Sequence, residues 1–484
     1  MTGEDMAAGG DGYLTTEEIL AWAPDREFPE AGRLAEPLIE RLKQTGLWNE
    51  RQVAGRRWTM GCVALEITQR CNLDCTLCYL SENAEAVKDI PLEELFRRID
   101  AIYRHYGPDT DVQVTGGDPT LRHPNELVRI VKRIGELGMR PSLFTNGIKA
   151  SRELLATLGE NGLVDVAFHV DMTQQRRGFR SEAELNAVRL EYIERVRGLP
   201  LAVFFNTTVF DGNFTDIPDV VRFFRKHADV VSLASFQLQA DTGRGVLRGR
   251  TTAIDPETVA AQISAGAGTP VSFDVPLVGH PACNRYGICL EANGNLYDLF
   301  DDEEYALAVL ERTAGLSFDR QNRLRAVAML CRAAAANPDY WWKTIRFLAR
   351  KAWRMKSDVV RARGRVNKLS FFIHNFMDAS RLERDRCKSC VFMVASADGP
   401  ISMCVHNAKR DQLILKPFLI PAEPGPKTWD PMTGETLEPS ADRSFDPASI
   451  DPTQHPLRRL KGRARQLALA QRRSKAARAQ GEAV

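Results

Sequence analysis

Three cysteines stand in one short run, Cys71, Cys75 and Cys78, spaced C-x3-C-x2-C, with Tyr79 directly behind the last. Thiolates are soft ligands and favour iron–sulfur clusters or zinc. Three of them on one loop suit three corners of a four-iron cubane and leave one iron open to a small molecule. A structural zinc site instead closes a tetrahedron and wants a fourth donor close by. The nearest histidine, His105, lies far along the chain, so the spacing favours the open [4Fe–4S] cluster. Five later cysteines, Cys283, Cys289, Cys387, Cys390 and Cys404, stand with His406 two residues beyond the last. They suffice for a second cluster, with a closed zinc site and unligated thiols as the alternatives. Cys62 and Cys331 stand alone and are expected in the core, where a free thiol packs as a small hydrophobe.

The elements that must hold these residues show in the hydrophobic pattern. Residues 1–58 form a preamble with two helical signals, Thr15-Thr16-Glu17-Glu18 and the apolar set Leu34, Leu38, Ile39 and Leu42. A regular alternation follows. β-rich runs occur at Val63–Thr68, Val112–Thr115, Pro141–Thr145, Val164–Val170, Leu201–Val209, Val230–Gln239 and Val271–Val275. Between them lie helical patterns at Leu92–Tyr106, Asn125–Leu137, Arg152–Leu158, Glu182–Val196, Ile217–His227 and Pro256–Ala265. Pro91, Pro124 and Pro256 suit first-turn positions, where a missing N–H is harmless. Strand then helix means βα units and a parallel sheet. The expected fold is α/β, a partial (β/α)6-type barrel over residues 59–276 with its ligand chemistry at the C-terminal strand ends. Residues 277–416 read as a mostly helical, cysteine-bearing extension, and 417–484 as a proline-rich linker and basic tail.

The cysteine spacing, placed after the first strand of a βα series, resembles the radical SAM superfamily over about Cys62 to Gln239. Val114-Thr115-Gly116-Gly117-Asp118-Pro119 looks like that family's Gly-Gly-Glu-Pro segment, with the acid one methylene shorter. The resemblance implies that Gly116 and Gly117 let the backbone approach the amino group of S-adenosylmethionine (SAM), with Asp118 accepting from it. It also implies that Asn146 and Asp171, at the ends of later strands, line the SAM pocket, and that Gln237 and Gln239 on the sixth strand form pocket wall near the adenine or the substrate. The chemistry implied is reductive cleavage of SAM to a 5′-deoxyadenosyl radical that attacks an unactivated carbon, fed by a flavodoxin- or ferredoxin-like reductant. His280-Pro281-Ala282-Cys283, Ser235–Gln239, Thr242-Gly243-Arg244 and Asn375–Asn407 resemble archaeal tetraether lipid synthases and related class-D-like radical SAM methyltransferases. That second resemblance implies carbon–carbon bond formation on a lipid-like substrate. Those relatives carry an N-terminal cysteine knuckle, and residues 1–61 hold no cysteine, so one metal site fewer is expected. The rival readings are methyl transfer or peptide modification with an auxiliary cluster, and a non-enzymatic electron carrier or zinc scaffold.

Composition is that of a globular chain: 484 residues, 44% hydrophobic and 26% charged, which excludes a fibre or a wholly disordered protein. No apolar window is long enough to span a bilayer, and the acidic start lacks a secretory core segment. The expected setting is a reducing cytoplasm, where clustered cysteines mean metal or catalysis, extending to the inner membrane surface. Net charge is +2, but Cys331–Lys368 holds eleven basic and two acidic residues. Within it Trp341, Trp342, Ile345, Leu348, Ala349, Ala352, Trp353 and Met355 fall largely at helical spacing. Such a helix either packs its apolar side on the barrel or lies on a membrane or lipid tunnel. Its aromatics form a single face rather than a stacking platform, so no nucleic-acid partner is expected. The Arg-rich end, Leu457–Val484, reads as a solvated tail, helical or disordered, or an attractor of anionic headgroups.

Overall fold

A computed structural model describes residues 12–247, 249–316, 323–337, 340–439, 445–456 and 460–481. Two short helices, α1 (Thr16–Ala21) and α2 (Glu36–Gln44), precede the first strand. Then β1 (Cys62–Thr68), α3 (Leu92–Tyr106), β2 (Asp111–Gly116), α4 (Pro124–Glu136), β3 (Arg140–Thr145) and α5 (Arg152–Glu160) alternate. The series continues through β4 (Asp165–His169), α6 (Glu182–Val196), β5 (Ala202–Val209), α7 (Ile217–Lys226), β6 (Val231–Leu238) and α8 (Pro256–Ala267). Pro124 and Pro256 open their helices, and Pro91 stands just before α3.

Each helix turns one apolar stripe inward. On α4 this is Leu127, Ile130, Val131 and Ile134; on α7 it is Ile217, Val220, Val221 and Phe224, all fully buried or nearly so. The stripes close on branched aliphatic strand residues such as Val63, Leu65, Ile67, Val112 and Val166. Burial of this apolar surface, at about 25 cal/mol per Å2, is what drives the barrel to form.

The chain after residue 276 contributes more to the sheet than its sequence suggests. It forms β7 (Asn284–Ala292), β8 (Asn295–Asp298), α9 (Glu303–Arg312), α10 (Arg323–Ala335), α11 (Trp341–Arg361) and β9 (Asn367–Asn375). Next come α12 (Arg384–Lys388), β10 (Phe392–Ser396), β11 (Gly399–Ser402), α13 (Met403–Ala408) and α14 (Arg410–Ile414). The sheet order is β11-β10-β1-β2-β3-β4-β5-β6-β9-β7-β8. β10 pairs parallel with β1 and β9 pairs parallel with β6, so the six expected strands gain a parallel neighbour on each edge. The two added strands also meet one another. Phe372 of β9 lies 5.9 Å from Phe392 of β10, and His374 stands edge-on to Phe392 at 4.6 Å. A side-chain seam thus closes the barrel where backbone pairing stops.

Three expectations need correction. Val271–Val275 is not a strand; it runs as irregular chain, with Ser272 N donating to Asp298 Oδ2 and Val271 and Phe273 packed over Gly287. Residues 417–456 are not simply a linker. They hold a small antiparallel sheet, β12 (Phe418–Ile420), β13 (Lys427–Trp429) and β14 (Thr436–Leu437), with Phe418, Ile420 and Trp429 buried together. Cys331 is exposed on α10, whereas Cys62 is buried as expected. The chain ends in α15 (Gly462–Gly481); of the tail, 457–459 and 482–484 lie outside the described residues.

Candidate active site

β1 delivers its last residues straight into the cysteine loop at the C-terminal end of the barrel. The loop is tied on two sides. Thr76 N donates to Thr173 O at 2.8 Å, beyond β4, while Val246 N and Gly245 N, beyond β6, donate to Thr76 O and Cys78 O. Cys71, Cys75 and Cys78 are part-buried on this loop, and each of Cys71 and Cys75 feels its neighbours' charge. Burial pushes the Cys71 thiol up to about 11 and Cys75 up as well. Thiols so placed ionise when a cation compensates them, which is what binding to iron supplies. Among the described residues no three His, Cys, Asp or Glu side chains converge tightly enough for one metal ion. A cubane does not need that convergence, because each thiolate takes a different iron, whereas zinc draws four donors to one point.

The glycine pair serves this loop first. Gly116 has φ +123°, and a Cβ there would lie 2.0 Å from Thr68 O; a Cβ on Gly117 would lie 2.0 Å from Arg70 O. Gly117 N and Asp118 N donate to those same carbonyls at 2.8 Å. The glycines thus let the end of β2 lie flat against the cysteine loop. Tyr79 OH donates to Gly116 O at 2.5 Å, so the aromatic after the third cysteine braces the same joint.

The acids at the strand ends are engaged within the protein. Asp118 is fully buried and accepts from Thr120 N, Thr120 Oγ1, Thr145 Oγ1 and Asn146 N. These bonds position β2 against β3 and place the Asp118 carboxylate, expected to accept from the SAM amine, at the strand ends beside Asn146. Asp171 is also fully buried and accepts from Thr173 N at 2.9 Å and Thr208 N at 2.8 Å, with His169 Nε2 at 2.6 Å. Burial opposes its ionisation, but His169 and these hydrogen bonds outweigh that and hold its pKa down to about 2. The group it leaves facing outward is His169, one-third exposed and missed by sequence reasoning. Asn146 reaches the loop: its Nδ2 donates to Asn72 Oδ1 at 2.6 Å and lies 3.9 Å from Cys71 Sγ. Gln237 is half-buried in a row with Thr208 on β5 and His374 on β9, and Gln239 follows it, buried, just past β6.

Two further groups close on the loop. Arg244 is fully buried, beside Cys78 and Cys71, with Nη1 3.3 Å from Glu85. Its Nε and Nη2 have no hydrogen-bond partner among the described residues. A buried guanidinium with two open donors is costly in isolation, and it suits an anionic sulfide cluster held by the adjacent thiolates. The second group is the start of the C-terminal tail. Lys461 Nζ pairs with Glu85 at 2.9 Å and donates to Cys71 O, Gly462 N donates to Asp74 Oδ1 at 2.9 Å, and Arg463 pairs with Glu82 at 2.8 Å. The tail is therefore not wholly solvated: its first turn straps the cysteine loop.

The later cysteines divide. Cys283, Cys387, Cys390 and Cys404 gather at the β9–β10 seam, where the thiols of Cys387 and Cys404 each feel Cys283 and Cys390. A cavity of about 20 Å3 lies among Cys283, Cys390, Cys404, His280, His374 and Arg386. Arg386 Nε donates to Cys283 Sγ at 3.1 Å, although burial still pushes that thiol up to about 11. Four soft donors that gather without converging on one point suit the separate irons of a second cluster better than a single zinc. Cys289 does not join them. It faces Asp298 across β7–β8, near Lys351, and is removed from the candidate ligand set. His406 is also elsewhere, close to Glu66 and Arg410. Arg410 of α14 binds Glu66 of β1 at 2.8 Å and lies over the Tyr79 ring at 4.7 Å, a buried link that no local pattern signals. An open groove of about 530 Å3 lies between α8 and β7, away from these groups, and its Arg285 already pairs with Glu257 and Asp274.

Residues 65–224 match the radical SAM superfamily. Over 237 residues the chain is 31% identical to GTP 3′,8-cyclase of Chlorobaculum tepidum, covering 46% of this chain and 69% of that one. It is 28% identical over 201 residues to the 7,8-dihydro-6-hydroxymethylpterin dimethyltransferase of Methanocaldococcus jannaschii, covering 40% of this chain and 39% of the relative. It is 29% identical over 163 residues to PqqA peptide cyclase of Bradyrhizobium diazoefficiens, covering 33% and 42%. The chain thus spans about two-fifths of the length of these last two relatives.

Proposed function

We propose, from the premise that this chain belongs to the radical SAM superfamily, that Cys71, Cys75 and Cys78 hold the [4Fe–4S] cluster at which SAM is cleaved. Membership makes it an enzyme and sets aside the electron-carrier and zinc-scaffold readings. The cluster and SAM supply a 5′-deoxyadenosyl radical able to take hydrogen from an unactivated carbon. The chain's residues do the rest. Arg244 holds its guanidinium beside Cys78 and Cys71, Asn146 and Tyr79 brace the loop, and the strap at Lys461 ties it through Cys71 O and Glu85. Asp118 and Asp171 hold adjacent strand ends in register, with His169 one-third exposed and Gln237 half-buried at the neighbouring ends. The single observation that carries this reading is the part-buried thiol triad at the strand ends, backed by a buried guanidinium with open donors.

Cys283, Cys387, Cys390 and Cys404 hold a second iron–sulfur cluster in this reading, and the finer reaction is carbon–carbon bond formation on a lipid-like substrate. A flavodoxin- or ferredoxin-like protein in a reducing compartment supplies the electron. The likeness to a dimethyltransferase and a peptide cyclase favours a second reading, methyl transfer or peptide modification. The test begins with iron and sulfide in anaerobically purified protein. About eight irons are expected, falling to about four when Cys71, Cys75 and Cys78, or instead the four later cysteines, become Ala. Reduction in the presence of SAM should release 5′-deoxyadenosine only when the first triad is intact. Product mass then separates the reactions: loss of two hydrogens for coupling, an added methyl for transfer. Reconstituted wild-type protein without iron would sink the proposal.

A further inference from the structure

Helix α11 presents its aromatic side outward. Its packing face is Phe347, Lys351, Met355 and Asp358, at spacings of four, four and three. That face is anchored mainly by polar groups. Asp358 accepts from Asn293 at 3.0 Å, Asn295 at 2.8 Å and Tyr297 OH at 2.6 Å, and Lys351 pairs with Asp301 at 2.6 Å. These bonds fix the helix against the β7–β8 edge and set its rotation. Trp341, Trp342, Ile345, Leu348 and Trp353 are left on the opposite arc, with Trp342 74% and Trp353 71% exposed. Of the apolar residues whose spacing marked this helix, only Met355 is buried, so the expectation that its apolar side packs on the barrel is corrected. Neighbouring α10 adds Leu324, Val327 and Leu330, also exposed at spacings of three. Exposed apolar groups scattered singly are ordinary, but a continuous patch of this kind marks an interaction surface.

The charges beside the patch indicate what covers it. α11 carries seven basic residues and one acid, and the acid is the buried Asp358, so its exposed surface bears only positive side chains. Lys343, Arg350 and Arg354 meet Glu304 and Asp301, which offsets part of that charge. Arg346 has no acidic partner among the described residues, and Lys356 lies over the Trp353 ring at 3.3 Å. α10 contains arginines and no acid. Tryptophan flanked by long cations that keep their heads in water suits the boundary between headgroups and acyl chains. Among the described residues no helix is long and apolar enough to cross a membrane.

We propose that the exposed face of α10 and α11 docks this protein on an anionic bilayer. The inference stands apart from the cluster chemistry, since the face lies on the outer sheet edge and needs no cofactor. The test uses the full chain and vesicles of phosphatidylcholine, with or without phosphatidylglycerol. Wild-type protein should float with the anionic vesicles, shift its tryptophan emission to the blue, and bind less at high salt. Trp342→Ser/Leu348→Ser/Trp353→Ser should lower that binding at least about tenfold while circular dichroism and thermal midpoint stay unchanged, because these side chains are exposed. Arg346→Glu/Lys356→Glu should abolish the preference for anionic lipid. Absence of vesicle binding would overturn the proposal, as would equal binding by wild type and the serine variant. A self-association that the serine variant abolishes, without vesicle binding, would overturn it by giving the face to a second copy of the chain.

Discussion

Arg244 and Asp171 show how single buried charges shape this site. Arg244 is held at the cysteine loop with two donors open, so its charge acts on whatever the thiolates bind. Arg244→Gln should make the cluster harder to reduce, lowering its potential by on the order of 60 mV, the one-electron equivalent of about 1.4 kcal/mol. An EPR-monitored titration checks this, and Arg244→Lys should restore part of the shift. Asp171 works through stability. Its pKa is held at about 2 against an ordinary 3.8, so the folded state binds its proton later than the unfolded state. That stabilisation is fully present above about pH 4 and is lost as pH falls toward 2. Asp171→Asn should therefore cost about 2 kcal/mol at neutral pH, and the gap to wild type should close over that acid range in urea unfolding curves.

At the scale of elements, the loop after β1 depends on segments distant in sequence. The strap from Lys461 to Arg463 reaches Cys71, Asp74, Glu82 and Glu85. Deleting residues 457–484 removes those bonds without touching a thiol. Such a variant should still take up iron but lose it faster in air than wild type, as followed by the decay of visible absorbance. The β2 end is less tolerant. With a Cβ at Gly117 only 2.0 Å from Arg70 O, Gly117→Ala should displace the loop and lower iron uptake even under anaerobic reconstitution.

Across the whole molecule, the segment after residue 276 completes the barrel rather than standing beside it. It supplies β9 and β10 to the two sheet edges, the four gathered cysteines to the seam, and Arg410 to Glu66 on the first strand. Burial works against Glu66 ionising, but Arg410, His406 and Gln69 hold its pKa below the ordinary value. Arg410→Ala leaves that carboxylate buried without its cation and should destabilise the fold by about 3–5 kcal/mol, measured by chemical unfolding. Glu66→Gln/Arg410→Met, which removes both charges, should recover most of the loss.

What could be read along the chain is what depends on near neighbours. The C-x3-C-x2-C spacing places three soft ligands on one loop, and strand–helix alternation makes a parallel barrel with that loop at its C-terminal end; both follow from covalent spacing and local periodicity. Which glycines, acids and amides stand at the strand ends was legible for the same reason. Their orientation was not, because Asp118 and Asp171 turn inward to satisfy backbone and hydroxyl donors on adjacent strands. Long-range packing also chose four of the five later cysteines, since Cys289 lies on a strand whose register turns it toward Asp298. It likewise drew the tail onto the cysteine loop. The same is true of α11: its periodicity marks a helix, but the polar anchors at Lys351 and Asp358 set the rotation that leaves its tryptophans in solvent.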